Sequence, residues 1–224
     1  MSDYIIDKQI NPDREFFGFK LRTRHKFYDE KIIRSVMDET IDMYRLPESL
    51  NLVIDIGANI GCFSLLAAKR GAKILAFEPA NINFDVLKYN VGINGFDKQI
   101  DCINIGVGKP GETKLFMNEG NSGAISSYHY NSRMLEEYQL CNFISIKDVF
   151  NNYDVNECDL LKLDCEGSEE DIIRDFDDDL ASKVKQISLE IHGDKHIRAE
   201  LINILSKWYT YEQTRRREFV FFKK

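Results

Sequence analysis

Proline is scarce in this sequence, four among 224 residues, and glycine is modest at thirteen. No internal repeat or low-complexity linker breaks the chain, which excludes fibrous and beads-on-a-string organisations. The five cysteines, Cys62, Cys102, Cys141, Cys158 and Cys165, contain no C-x-x-C pair. Neither a disulfide framework nor a zinc knuckle follows from them, and their spacing suits a reducing cytoplasm. No apolar run approaches the roughly 20 residues of a membrane span, and charge begins at Asp3, unlike a secretory leader. An excess of positive charge is also missing. The formal net charge is −7, from 30 basic and 37 acidic side chains, which argues against non-specific nucleic-acid binding.

What is present is a substantial apolar fraction, 43%, enough for one core and a single main domain. The stretch Leu52 to Ala68, LVIDIGANIGCFSLLAA, changes from the grammar of a buried strand to that of a helix. Gly57 and Gly61 open the bend between them, where backbone N–H groups can approach a ligand at a helix start. Asp55 stands at the strand's carboxyl end, on the edge where open α/β sheets bind ligands. A second apolar strand, Ile74 to Phe77, ends in Glu78, about twenty residues beyond the glycines. A carboxylate there can accept both hydroxyls of a ribose. Dinucleotide sites need G-x-G-x-x-G, and D-I-G-A-N-I-G offers no such phosphate cradle. A nucleoside without phosphates is the better ligand.

Further along, Asn81 to Asn94 has the spacing of a second crossover helix, and Ile100 to Val107 alternates as a third strand. Asp159 to Asp164 reads as a fourth strand and Gln186 to Ile191 as a fifth, the latter delivering Glu190 and His192 at its end. Ser168 suits an N-cap, and Glu169, Glu170 and Asp171 suit the positive end of the helix that follows, with Ile172, Ile173, Phe176 and Leu180 as its buried face. Thr113 to Met117 is a short strand, residues 118–131 form a small, polar segment that reads as a substrate gate or a plain loop, and Cys141 to Phe150 reads as an edge strand and turn. The tail from Trp208 to Phe222 reads as a hairpin, with Arg215, Arg216 and Arg217 at its tip as a grip for an anion or a solvated turn. Before the central strand, aromatics in residues 1–25 suggest an extended or hairpin cover. Apolar positions from Phe27 to Tyr44 then suggest one or two amphipathic helices.

The D-I-G-A-N-I-G element and the F-E-P strand end resemble the first motifs of class I S-adenosylmethionine-dependent methyltransferases. The later K-L-D-C-E-G-S-E, Lys162 to Glu169, and L-E-I-H-G, Leu189 to Gly193, resemble the FkbM branch of that superfamily. The resemblance implies a doubly wound, mostly parallel seven-stranded α/β sheet, the Rossmann-like methyltransferase fold, with an antiparallel C-terminal hairpin. Residues 1–46 would form a cap and 47–224 the catalytic domain. Gly57, Asn59 and Gly61 would hold the amino-acid end of S-adenosylmethionine, Glu78 the ribose, and the end of the third strand the adenine. Asp55 would orient the loop or meet the ammonium, and Gly106 would approach the adenine closely or simply end a strand.

The same resemblance implies O-methylation of a hydroxyl on a sugar of a surface glycan or its precursor, or on a polyketide-type natural product. A hydroxyl needs a base, and His192 is the first choice, with Asp164 or Glu166 setting its tautomer. The structural alternative for His192 is a bond to a strand-end carbonyl, and a further reading has Asp164, Glu166 and His192 hold a divalent metal. The absence of a D/N-P-P-Y/F tetrapeptide speaks against an amino-methyltransferase of nucleic-acid bases. A nicotinamide-dependent oxidoreductase and a non-catalytic cofactor-binding protein are the other readings. Small-molecule or glycan partners are expected, with no nucleic acid and no membrane span, and no feature assigns an oligomeric state.

Overall fold

The computed structural model describes residues 10–24, 28–38, 43–118 and 134–224. Its centre is a seven-stranded sheet. The five parallel strands are β3 (Leu52–Ile56), β4 (Lys73–Phe77), β5 (Ile100–Ile103), β9 (Cys158–Leu163) and β10 (Val184–Glu190). The hairpin β11 (Tyr209–Gln213) and β12 (Glu218–Lys223) completes the order β11-β12-β10-β9-β3-β4-β5, with β12 antiparallel to both neighbours. The chain leaves β3 toward β4 on one side and returns to β9 on the other, so the topological switch point lies between β3 and β9.

Alternation along β3 decides what each face receives. Ile54 and Ile56 join Leu161, Leu163, Ile187 and Leu189 in an apolar cluster with α4 (Ile146–Asn152), α5 (Glu169–Arg174), α6 (Asp178–Lys183) and α7 (Lys195–Leu205). Val53 points the other way, into a cluster with α1 (Asp29–Met37), α2 (Cys62–Lys69) and α3 (Asn81–Ile93). That second cluster takes in Phe16, Phe19 and Leu21 from the hairpin of β1 (Arg14–Phe16) and β2 (Phe19–Leu21), together with Tyr44. The hairpin cover and one amphipathic helix therefore form where the aromatic spacing placed them. Phe27, Ile41 and residues 118–131 with His129, apart from the backbone of Asn118, lie outside the described residues.

Three expectations need correction. The third strand stops at Ile103, because the chain leaves the sheet there: Gly106–Val107 is β6, in a separate three-stranded sheet with β7 (Gly111–Asn118) and β8 (Met134–Ile144). The segment Cys141 to Phe150 is no edge strand of the main sheet. It ends β8, and Ser145 then caps α4 through a reciprocal pair with Asp148. The single helix expected over Ile172 to Leu180 is two short ones, the second capped by the Asp177 carboxylate, which accepts from Leu180 N.

Candidate active site

At the carboxyl end of β3 the chain turns through Gly57, φ +79°, and Asn59, φ +52°. A Cβ on Gly57 would lie 1.9 Å from the Asp164 carbonyl oxygen, so the bend passes directly over the end of β9 and tolerates no side chain there. Gly57 N and Ala58 N both donate to Phe77 O at 3.0 Å, which ties the bend to the end of β4. Glu78 follows, buried, and holds the bend from the other side. Its Oε2 accepts from Asn59 N at 2.8 Å, while Oε1 accepts from Ala80 N at 3.0 Å and Asn83 Nδ2 at 3.2 Å. A carboxylate has about four acceptor positions, so about one is left for a ligand. Burial raises the Glu78 pKa above its ordinary value, with these donors pulling against it.

A cleft opens above this edge, lined by Gly57, Asn59, Glu78, Asp164, Cys165 and Glu166 on its polar side. Val107, Leu115 and Phe143, carried by the three-stranded sheet, form an apolar wall. Three residues assigned to the ligand stand behind this lining. Asp55 is fully buried on the face covered by α2: Ser64 Oγ donates to its Oδ2 at 2.6 Å, and Lys162 Nζ lies 3.0 Å from Oδ1 as a charge contact. Gly61 caps α2 at φ +93°, and a Cβ there would meet Leu87 at 2.8 Å, so it allows α2 and α3 to pack closely. Gly106 does make room for an aromatic ring, but the ring is Phe143, 2.4 Å from a Cβ built on it. Gly57, Asn59 and Glu78 do line the cleft.

Beside the cleft the ends of β9 and β10 converge on His192. Its Nδ1 donates to Glu169 Oε1 at 3.1 Å, and its Nε2 lies 3.4 Å from Glu190 and 3.6 Å from Glu166. Burial alone would discharge the ring, but Glu169 and Glu190 outweigh it and push its pKa up to about 12. Glu169 and Glu190 thus favour an imidazolium at the place where sequence reasoning expects a neutral base. Glu166 is different. Burial, reinforced by Asp164, Glu169 and Glu190 and opposed by His192, pushes its pKa up to about 8, and it lies on the cleft at φ +53°.

Asp164 also lines the cleft, and Tyr44 donates to its Oδ2 at 2.8 Å. Glu169, read from sequence as helix electrostatics, is fully buried and accepts from Cys165 N and Gly167 N, both at 2.9 Å. It moulds the turn that carries Glu166. Ser168 stands at the cap position but makes no side-chain cap bond. Glu169, Tyr44 and Lys162 were missed by sequence reasoning. Only Lys162 carried a signal, a charge inside an apolar strand run.

A family model described as "Methyltransferase FkbM domain" matches residues 55–216. The chain belongs to the FkbM methyltransferase family. This FkbM protein is 25% identical to "Methyltransferase sdnD" of Sordaria araneosa over 75% of this chain and 76% of that one. It is 24% identical to "Methyltransferase 1" of Beauveria bassiana over 71% of each. It also matches "AMB antimetabolite synthetase AmbE" of Pseudomonas aeruginosa at 26% identity, over 90% of this chain but 11% of that protein. Among solved structures, a "putative rRNA-methylase" from Clostridium thermocellum superposes with a TM-score of 0.52 at 8% identity, covering 84% of this chain and 95% of the other, and shows the shared fold alone.

The FkbM family is one of S-adenosylmethionine-dependent methyltransferases, and the nicotinamide-dependent and non-catalytic readings give way to a methyltransferase. The cleft fits it: a bend without Cβ, a buried carboxylate with an acceptor position to spare and an apolar wall suit a nucleoside without phosphates. For a metal, the trio brought together is Asp164, Glu190 and His192, with ligand atoms within 4.8 Å of one another and Glu190 in the place expected of Glu166. There the imidazolium already supplies a positive charge to the carboxylates. Among the described residues no helix is long and apolar enough to cross a membrane.

Proposed function

We propose that this methyltransferase acts on a hydroxyl, that of a sugar in a surface glycan or its precursor, in a cytoplasmic setting, with residues 1–46 capping the domain 47–224. Glu166 carries the reading. Once bound, the donor supplies a methyl group already activated by its sulfonium. A hydroxyl acceptor, with its high pKa, must lose a proton as it is methylated, so a base within reach is required. Glu166 lies on the cleft with its pKa near 8, and His192 beside it steadies the carboxylate form. Asp164 and Glu190 add further acceptors, as a ligand with several hydroxyls needs.

In this reading Gly57 and Asn59 hold the amino-acid end of the donor and the spare acceptor position of Glu78 holds the ribose. Val107, Leu115 and Phe143 flank the adenine, while Asp55, Gly61 and Gly106 shape the site from behind. The test is transfer of a ¹³C-methyl label to a panel of nucleotide sugars and hydroxylated natural products, read by NMR. Label on oxygen of a sugar is the expected result, and label on nitrogen or carbon overturns the proposal. Label on a polyketide-type hydroxyl instead would favour the alternative acceptor. A divalent ion at Asp164, Glu190 and His192 is the second reading of the acid cluster. Transfer that survives exhaustive chelation removes it.

A further inference from the structure

The centre of the sheet contains a charge that a core alone does not call for. β9 reads CDLLKL with every residue buried, and its Lys162 pairs in register with Asp55 of β3. Parallel strands covered on both faces ordinarily run apolar. Buried ion pairs can often be replaced by apolar residues of like volume without loss of stability. The pair's distinctive contact is with the bend. Lys162 Nζ donates to Gly57 O at 2.7 Å and, more weakly, to Ile56 O at 3.4 Å. Its ammonium also lies 5.5 Å from the centre of the Tyr44 ring and 6.0 Å from that of Phe63, which wall it off from solvent.

We propose that Lys162 is a positioning residue for the methyl donor: its ammonium fixes the peptide planes of the glycine bend by holding the Ile56 and Gly57 carbonyls, and Asp55 is the counter-ion that keeps it there. A hydrogen bond from a charged donor is shorter and stronger than one between neutral groups, and a bend made with glycine has the most backbone freedom to lose. The donor approaches that bend from the cleft side while Lys162 holds it from beneath. Burial works against the charge, yet Asp55 and Asp164 keep its pKa above the ordinary lysine value, so the ammonium persists. The proposal rests on the bend being the seat of S-adenosylmethionine.

The experiment compares the unsubstituted protein, Lys162→Met and the double variant Asp55→Asn with Lys162→Met, using S-adenosylhomocysteine in calorimetry and thermal melts. Lys162→Met leaves Asp55 uncompensated and lowers Tm; the double variant removes that charge and recovers stability. If Lys162 only neutralises Asp55, the double variant recovers affinity too. The proposal expects it to stay about tenfold weaker. Affinity within about twofold of the unsubstituted protein overturns it. A second measurement avoids any question of folding. In the unsubstituted protein the Lys162 ammonium signal in ¹⁵N NMR shifts, and its hydrogen exchange slows, on saturation with S-adenosylhomocysteine; an unmoved signal overturns the proposal. Failure of the unsubstituted protein to bind S-adenosylhomocysteine removes the donor assignment as well, an outcome distinct from normal binding by the double variant.

Discussion

Glu166 and His192 differ in how burial is answered. Both lose water, but His192 gains two close carboxylates, while at Glu166 burial and three neighbouring acids outweigh the imidazolium at 3.6 Å. The first stays charged, and the second is largely neutral below pH 8. Methyl transfer that uses the Glu166 carboxylate as base should therefore rise with pH and level off above about 8. Glu166→Gln should slow turnover by about 10²–10⁴-fold and flatten that profile. A profile of unchanged shape in the variant would place the base elsewhere. Glu78→Ala should weaken S-adenosylhomocysteine binding by about 1.5–3 kcal/mol in calorimetry, because the ligand loses a charged acceptor and the bend loses the anchor on Asn59 N. Unchanged affinity would remove Glu78 from the ribose site. Local spacing announced both acids, since each follows an apolar strand. It could not announce Tyr44, whose partner Asp164 lies 120 residues away, nor the protonation of His192, which depends on Glu169 and Glu190 folding onto it.

Among the elements, β3, β4, β9 and β10 were legible because each carries closely spaced apolar residues with turn residues after it. The small sheet was not, because β6 is two residues long and its partners in β8, Phe143 and Ile144, lie far along the chain, with nothing local to separate it from the end of β5. β3 and β9 are also registered by a polar contact at their start. Asp159 Oδ2 accepts from Asn51 N at 2.7 Å and Leu52 N at 3.0 Å, and Oδ1 accepts from Lys185 Nζ at 2.8 Å. Burial opposes the charge of Asp159, but Lys185 and the two amides outweigh it and hold the pKa below 3.8. A depressed carboxylate contributes stability that is full above its unfolded value and is lost as pH falls through the folded one. Asp159→Asn should cost about 2 kcal/mol in denaturant titrations at neutral pH, with the gap to the unsubstituted protein closing below pH 4. A gap independent of pH would mean that the side chain's shape, not its charge, matters.

Across the whole molecule the N-terminal residues are joined to the cleft by a chain of polar contacts. Arg24 is buried and forks onto Asp29, with Nη2 donating to Oδ1 at 2.7 Å and Nε to Oδ2 at 3.0 Å. Its Nη1 donates to Asn83 Oδ1 at 2.7 Å, and Asn83 Nδ2 donates in turn to Glu78 Oε1 at 3.2 Å. The hairpin is attached to the same helix: Asn90 Oδ1 accepts from Arg22 N, and the Asn94 amide exchanges two bonds with the backbone of Lys20. Loosening the β1–β2 hairpin and Arg24 should therefore reach Glu78. Arg24→Met takes the guanidinium away from the buried Asp29 carboxylate, which costs about 3–5 kcal/mol and should lower Tm by about 10 °C. Amide exchange should show β1 and β2 losing protection together, with S-adenosylhomocysteine binding severalfold weaker because Asn83, which donates to Glu78, loses the Arg24 guanidinium on its Oδ1. Loss of stability with the hairpin still protected and affinity intact would confine Arg24 to its own corner and leave α3, not the polar chain, as the link between the hairpin and the cleft.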